Sequence, residues 1–145
     1  MRRRPPIDVY LLDTNVVSEL RRPRPHGAVI AWLHTVPDSD LYVSAVTIGE
    51  LQAGVEITRE QDAEKAAEIE FWLEQVAETY NVLAMDARTF RSWARLMHRQ
   101  SEHPIEDAMI AATAKSHDLT VVTRNVRDYA RLGVRTFNPF SASGD

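Results

Sequence analysis

Short apolar runs recur along the chain, separated by longer stretches of helical period. Val9–Leu12, Leu41–Ser44, Val82–Met85, Leu119–Thr123 and Val134–Phe137 are the five runs. Strands covered on both faces read as continuous apolar runs of this length rather than as strict alternation. Helical patterns fall between them, over residues 15–20, 28–36, 44–55, 60–80, 86–99 and 105–116. Strands alternating with helices predict an α/β chain: a three-layer α/β/α fold with a central, mainly parallel sheet of four to five strands.

The helix boundaries have local causes. Arg-Pro-Arg-Pro at 22–25 closes the first helix, because proline cannot continue one. Val29, Trp32, Leu33 and Val36 make one apolar face, and Ile69, Trp72, Leu73, Val76 and Tyr80 make another. Ser44 or Thr47 is placed to cap the third helix, and Asp86 the fifth. The fifth is expected to bury Ala87, Phe90, Ala94 and Met97. Pro104 suits the first turn of the last long helix.

Length and composition fit one globular domain over 1–145, with a core of about 9–137 and loosely ordered tails at 1–6 and 138–145. With no cysteine, any metal must be held by oxygen or imidazole. No apolar run approaches the roughly 20 residues of a membrane span. Met1-Arg2-Arg3-Arg4 is followed by prolines and an aspartate rather than an apolar leader, so the expected location is the cytosol. The net charge of −4 hides an asymmetry, since residues 56–78 hold eight of the 21 acids and two of the 17 bases. The remainder is slightly basic, which leaves room for an anionic partner.

Asp13 follows the first apolar run and opens the polar turn Asp13-Thr14-Asn15. A carboxylate at the end of a buried strand needs partners, because burial disfavours its charged form. In parallel sheets ligands gather at the carboxyl ends of the strands. Glu50 lies two turns into the helix after the second run, Asn125 and Asp128 lie just past the fourth, and Asp107 opens the helix leading into it. All five can reach one rim. Taken singly, each acid also has an ordinary explanation as a cap or a solvated group. Together they suit one or two Mg²⁺ or Mn²⁺ ions and phosphodiester hydrolysis by activated water. Thr14 and Thr123 could hold water or phosphate oxygens beside such a site.

Four segments then resemble a known family: Leu-Leu-Asp-Thr-Asn (11–15), Thr-Ile-Gly-Glu-Leu (47–51), Glu-Asp-Ala-Met-Ile-Ala-Ala-Thr-Ala (106–114) and Val-Thr-Arg-Asn-Val-Arg-Asp-Tyr (122–129). In order and spacing they resemble PIN-domain ribonucleases, and more narrowly the VapC toxins of bacterial toxin–antitoxin pairs, in the FitB-like branch. The resemblance implies Asp13, Glu50 and Asp107 as metal-binding acids. It implies Thr123 as a hydroxyl beside the site and Thr14 and Asn15 as the polar turn. Many relatives carry Asp where this chain has Asn125, so either Asn125 or Asp128 completes the set. It further implies an RNA substrate, 5′-phosphate and 3′-hydroxyl products, a homodimer, and a cognate antitoxin docked in a groove for which Leu20, Trp32 and Leu51 are candidates.

Arg21, Arg22 and Arg24 lie close to Asp13 in sequence, and Arg124 and Arg127 flank Asn125. Both groups could meet RNA phosphates. Arg88, Arg91, Arg95 and Arg99 make a helical stripe that reads first as a solvated face. The five histidines show no metal-type pairing and read as surface or loop residues; the three tryptophans read as core or interface packing. Two rival functions stay open. An Asp13-nucleophile phosphatase would want a second aspartate where Asn15 stands. A catalytically silent RNA- or protein-binding module is compatible with Asn125.

Overall fold

The computed structural model describes residues 8–98 and 105–141. Five parallel strands form one sheet: β1 (Tyr10–Leu12), β2 (Leu41–Ser44), β3 (Asn81–Leu83), β4 (Thr120–Val122) and β5 (Thr136–Phe137). Their spatial order is β3-β2-β1-β4-β5, so β1 is central and each half of the sheet winds outward from it. Leu12 pairs with Val43 on one side and Val122 on the other, which brings the ends of β1, β2 and β4 level. The strand after helix 60–80 ends two residues earlier than the apolar run predicts. Asn81 is drawn into it by donating its side-chain amide to the carbonyls of Ser39 and Leu41.

Among the described residues seven helices cover the sheet: α1 (Thr14–Glu19), α2 (Gly27–Leu33), α3 (Ala45–Arg59), α4 (Ala63–Thr79), α5 (Ala87–Met97), α6 (Ile105–His117) and α7 (Val126–Arg131). Successive strand residues face opposite layers. Leu11 and Val121 pack with Ile110, Ala111 and Ala114 of α6, and with Tyr129 and Leu132 on and just after α7. Leu12 and Val122 face the other way, onto Val16 and Val17 of α1, Val29 of α2 and Val76 of α4. The three-layer α/β/α arrangement with a parallel sheet is therefore present as expected.

Caps fall where the sequence placed them. Ser44 accepts the Val46 N–H at 3.0 Å to open α3, and Asp86 accepts the Thr89 N–H at 2.9 Å to open α5. One expectation fails. On α5 the buried residue is Thr89, Trp93 and Leu96 are half-buried, and Phe90 is 44% exposed, so the helix is turned from the predicted face. Just past β5, Pro139 is buried and Phe140 stacks edge-on against His26 with ring centroids 5.3 Å apart. Arg99, His103, Pro104 and the outermost tail residues lie outside the described residues.

Candidate functional site

Asp13 sits on the rim formed by the carboxyl ends of β1 and β4. Its backbone N–H bonds the Val122 carbonyl at 2.9 Å, which stitches the two strand ends together. The side chain is only 3% exposed. Oδ1 accepts the Thr14 N–H at 2.8 Å and the Tyr129 hydroxyl at 3.0 Å, while Oδ2 accepts the Thr123 hydroxyl at 2.8 Å. Burial pushes the Asp13 carboxyl above its ordinary value, and these three donors only partly offset that.

Thr123 is itself buried and has two tasks. Having given its proton to Asp13, it accepts the Asn125 N–H at 2.9 Å and so shapes the turn into α7. On the other side of Asp13, the Thr14 hydroxyl donates to Glu50 Oε1 at 2.8 Å. A hydroxyl has one proton, so Thr47, 2.9 Å from Thr14, must donate to it in turn. The chain Thr47–Thr14–Glu50 ties α3 to α1 and fixes where the Glu50 carboxylate stands.

Asp107 occupies the first turn of α6 and is half-buried. Its Oδ1 lies 3.3 Å from the same Tyr129 hydroxyl that bonds Asp13, so the one phenolic proton is shared between the two acids, with the shorter contact on Asp13. Burial raises the Asp107 carboxyl, and the charges of Asp13, Asp128 and Glu106 raise it further. Glu50 is raised by burial too, and then by Glu106, Asp13 and Asp107. These acids feel one another's charge, and among the described residues none of them has an ion-pair partner.

The fit to a metal can be weighed from that. Oxygen-only donors in mutual repulsion, with no cationic side chain to neutralise them, suit a hard divalent cation. Yet among the described residues no three Asp, Glu or His side chains stand close enough together to grip a single ion as placed. The acids share a rim but form an open set.

Other predicted residues divide. Asp128 is half-buried and close enough to act on Asp107, whereas Asn125 is exposed and joins the network through its backbone, its side chain capping nothing. Asn15 is exposed, with no side-chain hydrogen bond among the described residues. Arg22 pairs with Glu19 at 3.3 Å, and the Arg124 guanidinium lies 3.8 Å above the Phe140 ring. Arg21, Arg24 and Arg127 are exposed. Of the groove candidates, Leu20 lines a cavity of about 360 Å³ with Ile30, Leu33, Trp72, Val76 and Tyr80. Trp32 and Leu51 pack on the core instead, Trp32 edge-on to Tyr10 at 5.0 Å. His26 does more than a surface residue, since its Nδ1 accepts the Ala28 N–H and caps α2.

Sequence reasoning missed Tyr129, Glu106 and Glu19. Tyr129 closes the 122–129 segment and could have been found as a phenol one helical turn past Asn125. Glu106 could have been found only as the acid next to Asp107. Glu19, 6% exposed, accepts the His26 N–H at 2.9 Å and pairs with Arg22. Its signal was an acid on the inner side of a short helix ahead of a proline turn.

Comparison with known proteins agrees with this geometry. The PIN domain family model matches residues 10–134. The toxin FitB of Neisseria gonorrhoeae is 36% identical over 91% of this chain and 99% of its own length. The VapC ribonuclease Y4jK of Sinorhizobium fredii is 34% identical over 91% and 98%. Among solved structures, FitAcB from Neisseria gonorrhoeae superposes with a TM-score of 0.83 at 34% identity, covering 92% of this chain and 99% of that one. The chain belongs to the PIN-domain family, alongside the FitB and VapC proteins that it resembles.

Proposed function

We propose that this chain is a divalent-metal-dependent endoribonuclease and the toxin of a type II toxin–antitoxin pair, with Mg²⁺ or Mn²⁺ as its cofactor. The observation that carries the reading is the acidic rim: Asp13, buried and without a cationic partner among the described residues, shares its electrostatics with Glu50 and Asp107. Asp13, Glu50 and Asp107 would hold the cation, with Asp128 adding negative charge. When bound, the cation would acidify water and draw charge from the scissile phosphodiester. The chain's own residues do the rest. Thr123 and the Thr14 N–H hold Asp13 still, and the Thr14 hydroxyl aims Glu50. Arg24 and Arg127 are free in solvent to meet phosphates, and Arg124 stands ready on the Phe140 ring.

The relatives point the same way. FitB is named a toxin, Y4jK a ribonuclease, and solved neighbours include a FitAB complex bound to a DNA fragment. An antitoxin is therefore the proposed partner, its apolar segment seated in the Leu20–Trp72 groove, and the working form is a homodimer of single-domain subunits over 1–145. Among the described residues no helix is long and apolar enough to cross a membrane. We place the toxin in the cytoplasm, with its RNA.

The test is cleavage of host RNA by the purified chain. Mn²⁺ or Mg²⁺ is expected to support it, chelator and Asp13→Asn to abolish it, and the products to carry 5′-phosphates. Protein that neither cuts RNA nor takes up Mn²⁺ by calorimetry would return the chain to the silent-module reading. Light scattering checks the dimer, and a small gene upstream encoding a DNA-binding protein checks the antitoxin.

A further inference from the structure

Tyr129 is wholly buried, and its ring fills the core with Leu11, Ile110 and Val121. Phenylalanine would fill that space as well. The hydroxyl is what the packing does not call for, since a buried hydroxyl costs free energy unless it is bonded. Among the described residues its partners are two carboxylates, Asp13 Oδ1 at 3.0 Å and Asp107 Oδ1 at 3.3 Å. The ring cannot swing away, because the core encloses it.

Counting acceptor positions gives this bond a direction. A carboxylate oxygen accepts about two hydrogen bonds. Thr14 and Tyr129 together fill Asp13 Oδ1, and Thr123 takes one position on Oδ2. The vacant position on Asp13 is therefore on Oδ2. Asp107 is less constrained, because the bond from Tyr129 is the one that its side chain makes among the described residues. Without it no other side-chain hydrogen bond among the described residues orients that carboxylate in the first turn of α6.

We infer that Tyr129 is a positioning residue for the cation site: its buried hydroxyl, shared between Oδ1 of Asp13 and Oδ1 of Asp107, holds together two carboxylates that would serve as ligands. This rests on the metal-dependent reading above. It also gives the open acid set a fixed element: of the carboxylates on the rim, these two are coupled through one rigid group.

The experiment is calorimetric titration of Mn²⁺ into the full-length chain and into Tyr129→Phe, with circular dichroism and melting in chelator beside it. Loss of a group that orients metal ligands typically weakens binding by about ten-fold or more. Tyr129→Phe is expected to fold normally, to bind Mn²⁺ about ten-fold more weakly, and to lose kcat by a similar factor while KM for RNA holds. In an Asp107→Ala background the same change is expected to have a much smaller effect, because the tie already lacks one end. Equal Mn²⁺ affinity in wild type and Tyr129→Phe overturns the inference alone. So does a Tyr129→Phe that fails to fold, which would make the hydroxyl a stability element, or a full additional loss in the Asp107→Ala background. Wild-type protein that binds no Mn²⁺ overturns the nuclease reading, and the inference with it.

Discussion

Thr123 shows how much one side chain can organise. Its hydroxyl donates to Asp13 and accepts from the Asn125 N–H, both within 2.9 Å, the first buried and the second partly so. Thr123→Val keeps the shape and removes both bonds, leaving a backbone N–H unsatisfied. The expected cost is about 1–3 kcal/mol in urea unfolding, with RNA cleavage lowered at least ten-fold because Asp13 loses its anchor. Unchanged cleavage would mean that Asp13 does not need that anchor. Residues of this kind were legible in the sequence because they are polar groups at the ends of apolar runs. Asp13 and Thr123 announce themselves in that way, while Glu50 and Asp107 stand on helices that follow or lead into those runs. Tyr129 does not, since a tyrosine at helical spacing reads as core, and it is core; only its oxygen belongs to the site. Glu19 is hidden for the opposite reason, because a glutamate in a short exposed-looking helix reads as surface.

At the level of elements, the site is an assembly of helix beginnings. Asp13 caps α1, Ser44 caps α3, and Asp107 lies in the first turn of α6, so strand ends and helix starts meet on one rim. The α/β order and the caps at Ser44 and Asp86 could be read directly, because strand length, apolar period and cap chemistry are local properties. The facing of α5 could not. That helix carries Phe90 and Ala94 on one side and Thr89, Trp93 and Leu96 on another, and only its packing against α6 decides between them. Glu19 gives this scale its own prediction. Its carboxylate joins α1 to the start of α2 through the His26 N–H and to the proline turn through Arg22. Burial pushes Glu19 up, but the His26 bond and Arg22 outweigh it and hold the carboxyl below its ordinary 4.5. Glu19 thus contributes stability that is complete above about pH 4.5 and is lost as pH falls through its folded value. Glu19→Leu is expected to cost about 1–3 kcal/mol at neutral pH and to flatten the acid limb of the stability curve. It is also expected to weaken RNA binding while leaving Mn²⁺ affinity intact, since no cation ligand moves. An equal loss of Mn²⁺ affinity would place Glu19 in the metal site itself.

The whole molecule carries two opposed sets of acids, and their balance is measurable without substrate. Asp13, Glu50 and Asp107 are raised by burial from ordinary values of 3.8, 4.5 and 3.8, Glu50 and Asp107 also by neighbouring acids, and their hydrogen bonds only partly offset this. In the window above those values the folded chain holds more protons than the unfolded one. Their ionisation therefore costs stability at neutral pH, and the cost disappears as pH falls through their folded values. Glu19, Glu56, Glu70 and Asp86 are lowered by their hydrogen-bonding partners against burial, and they act in the window below the ordinary values, where acid removes what they contribute. The two windows meet near the ordinary carboxylate values. In chelator, melting temperature is expected to rise from about pH 7 toward about pH 5 and to fall again under stronger acid. A saturating divalent ion should invert the first limb, because it binds the ionised acids and competes with protons for them. With Mn²⁺ the protein should melt higher at about pH 7 than at about pH 5, and in chelator the order should reverse. A chelator profile that is flat between those two points would mean that the rim acids do not repel one another in the folded chain. A Mn²⁺ profile that follows the chelator one would mean that they hold no cation.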